Sequence, residues 1–264
     1  MSQVELEARE FPILEFDGVS EPIVDPKEYD MFTETNIGIQ RCLITYFTDV
    51  IEDMERDSRA NQVFRIRTEG YRPRVYRTKV NGELIYVLPV AGGAPQAARM
   101  LEVMATRGVT KFMVCGGAGT LDDANTGDKV LVPTSALRDE GTSYHYLPPS
   151  REVHLNPEVQ VKIEQTLTDE GVLYLPVKTW TTDAIFRETV DKVEQRRREG
   201  CDVVEMECSA YYAVAQHKDL QCGQLLYAAD SVCKDEGWNY RDWHGRREMR
   251  AYLVDLAIKC LMNL

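Results

Sequence analysis

The stretch ELIYVLPVAGGAPQAARMLEVMATRGVTKFMVCGGAGT, residues 83–120, decides the fold class. It opens on a near-continuous apolar run, ELIYVLPV (83–90), and crosses a glycine turn, VAGGAP (90–95). A helical pattern follows over 94–107. A second apolar run, KFMVCG (111–116), then ends in another glycine-rich segment, CGGAGT (115–120). Continuous apolar runs of this length fit strands covered on both faces. A strand, a helix and a second strand in succession predict a parallel pair joined by a crossover.

The same alternation extends in both directions. CLITYF (42–47), KVLVPT (129–134), LPVKTW (175–180), DVVEM (202–206) and QLLYAA (224–229) read as further strands. Helices are expected near 157–170, 188–199, 207–218 and 245–264. Asn156 before Pro157 is a helix start, with an N-cap and a proline in the first turn. Met249, Leu253, Leu256, Cys260 and Leu264 recur at three- and four-residue steps and make one apolar face of the last helix. Residues 1–40 are acidic, carry Pro12, Pro22 and Pro26, and read as an irregular N-terminal arm. Residues 41–264 show no repeat or linker and read as one α/β domain.

Composition narrows the class. The chain has 264 residues, 44% hydrophobic and 28% charged, and a formal net charge of −12. Such a chain is too apolar to be disordered. It also lacks the basic balance of a protein held to nucleic acid by a broad cationic surface. The start, MSQVELEARE, has neither a basic nor an apolar signal region, and no run of about 18 apolar residues occurs. A cytoplasmic protein without a membrane partner is expected. Seven cysteines, at 42, 115, 201, 208, 222, 233 and 260, form no CxxC pair and read as small buried hydrophobes. The four histidines have no metal-ligand spacing, so no metal is expected. A P-loop, a GxGxxG turn, a GxSxG elbow and an HExxH helix are all absent.

Three features carry chemistry. The two glycine segments each follow a strand, where backbone approaches a ligand closely, and ligands of parallel sheets sit beyond the carboxyl ends of strands. VVEMECSA (203–210) places Glu207 where a strand gives way to a helix. A carboxylate there suits a helix N-terminus, and it also suits two adjacent sugar hydroxyls, with Met206 against the sugar face. LLYAADS (225–231) ends an apolar strand on Asp230. Partial desolvation would raise its proton affinity and let it act as an acid; a loop or cap role is the alternative.

Taken together, GGAGTLDDANTGDKVLVPTSALRDEGTSYHY (116–146), TTDAIF (181–186), VEMECSAYYAVA (204–215) and YAADS (227–231) resemble the nucleoside phosphorylase family: purine nucleoside phosphorylases, uridine phosphorylases and related nucleosidases. The resemblance covers roughly residues 42–264. It implies an α/β fold, a single three-layer α/β/α domain with a mixed, barrel-like central sheet, and a homodimer or a hexamer built as a trimer of dimers. It implies a small-molecule nucleoside as partner and no cofactor, with phosphate as a possible co-substrate. Carried over, Met206 and Glu207 match the ribose contacts and Glu205 the first acid of the same motif, placed beside the base. Asp230 matches the proton donor to a purine base. Ile185 and Phe186 match residues that wall the base, Phe186 as the stacking group, with Arg187 and Glu188 beside a polar base edge.

The chain departs from that family at the phosphate site. The family's PGDPxR turn is replaced by FTDVIEDM (47–54), Val114 stands where an arginine is usual, and Gly117 where a hydroxyl residue is usual. Arg72 and Arg74, with the backbone of Gly92, Gly93 and Gly117, are the remaining candidates to hold phosphate. Asp49 falls close to the carboxylate with which the family's nucleosidases activate water; it reads equally as the start of a helix. Three readings stay open: phosphorolysis at an altered site, hydrolysis through Asp49, Asp230 and Glu207, and nucleoside binding without catalysis.

Overall fold

A computed structural model describes residues 8–29, 38–233 and 237–264. The strands are β1 (Arg41–Thr45), β2 (Asn61–Arg65), β3 (Arg74–Val80), β4 (Glu83–Pro89), β5 (Lys111–Thr120), β6 (Val130–Asp139), β7 (Glu152–His154), β8 (Tyr174–Thr182), β9 (Val203–Glu205) and β10 (Gln221–Ser231). The helices are α1 (Pro26–Tyr29), α2 (Thr48–Arg56), α3 (Ala94–Ala105), α4 (Asp123–Thr126), α5 (Pro157–Asp169), α6 (Val190–Arg198), α7 (Cys208–His217) and α8 (Arg247–Asn263).

The strand–helix–strand unit of the opening stretch is β4, α3 and β5. β1 lies between its two strands and pairs parallel with both. β5 also pairs parallel with β10, which pairs antiparallel with β6; β6 and β8 are parallel, as are β8 and β9, and β9 returns antiparallel to β5. Strands β5, β10, β6, β8 and β9 therefore close a ring, and β1, β4, β3 and β2 extend from it as an open wing. Each ring strand gives one residue to a separate apolar cluster: Ala118, Leu226, Leu131, Val177 and Val203. This is the mixed, barrel-like sheet the resemblance implies. Helix α3 packs on α7, while α8 packs on α2, α5 and the strands β1, β5 and β10.

Local signals explain the boundaries. The Asn156 side chain accepts from the Glu158 and Val159 amides at 2.8 and 3.4 Å, and Pro157 opens α5. Leu253, Leu256, Cys260 and Leu264 are buried as the α8 periodicity predicts, and the apolar face widens to include Val254, Ala257 and Leu261. Helix α6 starts at Val190, later than expected, because Ile185–Arg187 form a 3-10 turn and Thr189 caps the helix. Of the expected arm, residues 1–7 and 30–37 lie outside the described residues. The described part exposes Ile23 and Val24 and places a 3-10 turn, Pro12–Leu14, against another at Ser143–His145.

One expectation is overturned. CGGAGT is not a turn: β5 runs straight through it to Thr120, with Gly117 opposite Tyr227 and Gly119 opposite Asp230 on β10. Its glycines make room for neighbours. A Cβ at Gly116 would stand 3.0 Å from Tyr46, one at Gly117 2.7 Å from the Ala229 Cβ, and one at Gly119 3.1 Å from Val204. Gly117 is therefore part of a strand ladder, not a free anion nest. Gly117→Ser is expected to destabilise the fold by about 1–3 kcal/mol, as overpacking does; a denaturant midpoint equal to wild type would contradict this packing.

Candidate active site

Glu207 is the best-defined of the candidate side chains. It is buried at the junction of β9 and α7, and the Gly93 amide donates a short hydrogen bond to its Oε1. The VAGGAP turn carries this amide to the carboxylate. Gly93 has φ +108°, a region side chains rarely adopt, and a Cβ at Gly92 would stand 3.2 Å from the same carboxylate oxygen. Burial pushes the Glu207 carboxyl up to about 8; the Glu205 charge adds to the rise, and bonds from the Gly93 and Met206 backbone and the Tyr46 hydroxyl oppose it. Met206 is half-buried beside it.

Glu205 corrects the sequence reading. It accepts from Thr179 Oγ1 at 3.2 Å, Thr181 Oγ1 at 2.6 Å, the Glu207 amide at 2.8 Å and the Cys208 amide at 2.7 Å. Four donors use the roughly four lone-pair sites of a carboxylate. Glu205 fastens the start of α7 to β8 and has nothing left for a base. Burial still raises its proton affinity.

Tyr46 went unread in the sequence. It follows β1, its hydroxyl lies 2.9 Å from that of Tyr211 on α7, and it reaches Glu207. Its ring rests where Gly116 lacks a side chain. The available signal was position: a tyrosine at the carboxyl end of a parallel strand, where ligands bind.

Asp230 stands just past a bulge in β10 that begins after Ala228. Its Oδ2 accepts from the Trp238 indole at 2.8 Å, and Thr120 Oγ1 donates to its backbone carbonyl at 3.2 Å. Gly119 pairs with Val204 on β9 and with Asp230 on β10. Glu188, half-buried, lies near enough to feel the Asp230 charge. Burial first and that charge second push its carboxyl up to about 7.

The remaining candidates are dispersed. Phe186 is 96% exposed and Ile185 52%, so neither walls a closed pocket. Arg187 and Arg72 are exposed. Arg74 pairs with Glu52 at 3.0 Å and Glu55 at 3.7 Å on α2. Asp49, in the first turn of α2, is held by Arg250 Nη1 at 3.1 Å; the Arg250 guanidinium lies 5.8 Å from the Phe47 ring, which sits 5.9 Å from Tyr227. Asp49 thus stands at the start of a helix, whose N-cap is Phe47.

A mixed barrel with a backbone-anchored glutamate just after one strand and an aspartate near the end of another defines the class of α/β protein to which this chain belongs. The chain belongs to the phosphorylase superfamily, whose sequence pattern matches residues 44–254. It is 28% identical over 157 residues to a guanosine phosphorylase of Halorubrum lacusprofundi, covering 58% of this chain and 63% of that one. The chain spans under two thirds of the length of the first curated relatives it matches. Its fold is shared with an AMP nucleosidase from Bacteroides thetaiotaomicron (TM-score 0.72, 17% identity, 90% of this chain and 98% of that one). It is shared also with a uridine phosphorylase from Vibrio fischeri (TM-score 0.69, 17% identity, 87% and 95%).

Proposed function

We propose that this protein cleaves the N-glycosidic bond of a purine-type nucleoside, with water as the acceptor. The observations that carry the reading are two carboxylates on strands that both pair with β5: Glu207, just after β9 and anchored by the Gly93 amide, and Asp230, near the end of β10. Glu207 binds the ribose hydroxyls, and in its ionised form these are charge-assisted hydrogen bonds. The base leaves as Asp230 protonates it, while positive charge builds on the sugar, and water attacks the opposite face. The guanosine phosphorylase among the relatives supports a purine base, and the AMP nucleosidase supports water on this fold.

Water is favoured over phosphate because a dianion finds little to hold it. Val114 is fully buried, Arg74 is engaged on α2, and the space beside Gly117 is filled by Tyr227 and Ala229. Asp49, fixed by Arg250, is the proposed base for the water. The exposed Phe186 fits a base stacking on it, or a neighbouring subunit of a homo-oligomer covering it. Chromatography of products from a nucleoside panel tests the substrate: release of purine bases and not of uracil is expected, and release of uracil alone would overturn the purine assignment.

A further inference from the structure

We propose that Trp238 aims the Asp230 carboxyl and forms one wall of the base site. The inference rests on the glycosidic-cleavage reading and adds a positioning and base-contacting residue to it. The Trp238 indole donates to Asp230 Oδ2 at 2.8 Å, yet the side chain is 69% exposed. An indole is a large apolar surface with one polar edge, and leaving its faces open forgoes the stabilisation that burial gives. Local bonds hold it there. Ser231 and Asn239 exchange backbone hydrogen bonds at 2.8 and 2.9 Å in an antiparallel bridge, which lays the chain around Trp238 along the end of β10. The Tyr240 ring, also exposed, stands 6.2 Å from the indole. Arg241 then ties the segment to α4 through Asp123 at 2.6 Å.

The indole bond gives the two carboxylate oxygens different tasks. Oδ2 is held, and among the described residues no donor reaches Oδ1. A Cβ at Gly119 would stand 3.3 Å from Oδ1, so the glycine keeps that oxygen uncrowded. The base therefore takes its proton from Oδ1. The bond from sugar C1′ to the base nitrogen breaks, its electron pair stays on the nitrogen, the proton passes from Oδ1 to the base, and Asp230 is left ionised. The indole N–H then bonds a carboxylate rather than a neutral acid, and such charge-assisted bonds are the stronger. Trp238 thus helps the transition state more than the ground state. Two partners of one carboxylate sit side by side at hydrogen-bond length, so a base on Oδ1 lies against the indole on Oδ2.

Fluorescence and kinetics test this. Of the three tryptophans, Trp180 is fully buried and Trp243 is exposed. Adenine or hypoxanthine should quench the fluorescence of wild type saturably. Trp243→Phe should keep that quenching, and Trp238→Phe should lose it while calorimetry still detects the bound base. Trp238→Phe keeps a ring but lacks the N–H, so kcat should fall about tenfold or more, with KM within about threefold of wild type. Trp238→Ala loses the wall as well, and KM should also rise about two- to tenfold. Quenching that persists in Trp238→Phe, no quenching of wild type by either base, or a Trp238→Phe kcat within about twofold of wild type would overturn the proposal. If the bases quench Trp238 and no nucleoside is cleaved, the cleavage reading fails and the base contact at Trp238 stands.

Discussion

Asp230→Asn is expected to slow base release by about a hundred- to ten-thousand-fold, the usual worth of a positioned general acid. The substitution keeps shape and can still accept from the Trp238 indole, so the loss should fall on kcat and leave KM nearly unchanged. It should be smaller for nucleosides whose base departs readily without a proton. Steady-state kinetics on one good substrate reads both effects. A variant within about threefold of wild type would remove Asp230 from the chemistry, since acid catalysis is not lost at so small a cost.

Glu207→Gln carries the second large effect. Two charge-assisted bonds to sugar hydroxyls would each weaken, at about 1.5–3 kcal/mol for a bond to a charged group, so kcat/KM should fall by about a hundredfold or more. Stability should move the other way. The ordinary value for this carboxyl is 4.5 and the folded chain raises it to about 8. The folded state therefore keeps a proton that the unfolded chain has released, and this contribution to stability is present below about 4.5 and lost as pH rises toward about 8. Glu207→Gln, neutral throughout, should lack that decline and melt higher than wild type at pH 8. A melting profile that falls equally in both proteins would show that Glu207 is not the titrating group.

Much of the architecture was legible because buried parallel strands and amphipathic helices write themselves in apolar periodicity: β1, β4, β5 and β10 are apolar runs, and α8 is a stripe. The edge strand β2 and its neighbour β3 were not, since NQVFR and RVYRTKV mix charges into strands that are only partly covered. The glycines of β5 were misread for a physical reason. A missing side chain serves a turn and a close strand contact equally, and only Tyr46, Ala229 and Val204, far away in the chain, distinguish the two. Glu205 failed as a base contact for the same kind of reason, because its hydroxyl partners Thr179 and Thr181 lie on another strand. The positions of Glu207 and Asp230 were legible because both are tied to a local event, the end of a strand. Tyr46 and Trp238 gain meaning only from the carboxylates they meet.

The central claim, a glycosidic cleavage in which water takes the place of phosphate, is tested most directly by the sugar product. Purified protein is incubated with a purine nucleoside in phosphate buffer and in phosphate-free buffer, and the pentose is identified by mass spectrometry. The account predicts free pentose in both, at similar rates, with the new C1′ oxygen drawn from isotope-labelled water. Pentose 1-phosphate formed in phosphate buffer, with base release abolished in its absence, would contradict it.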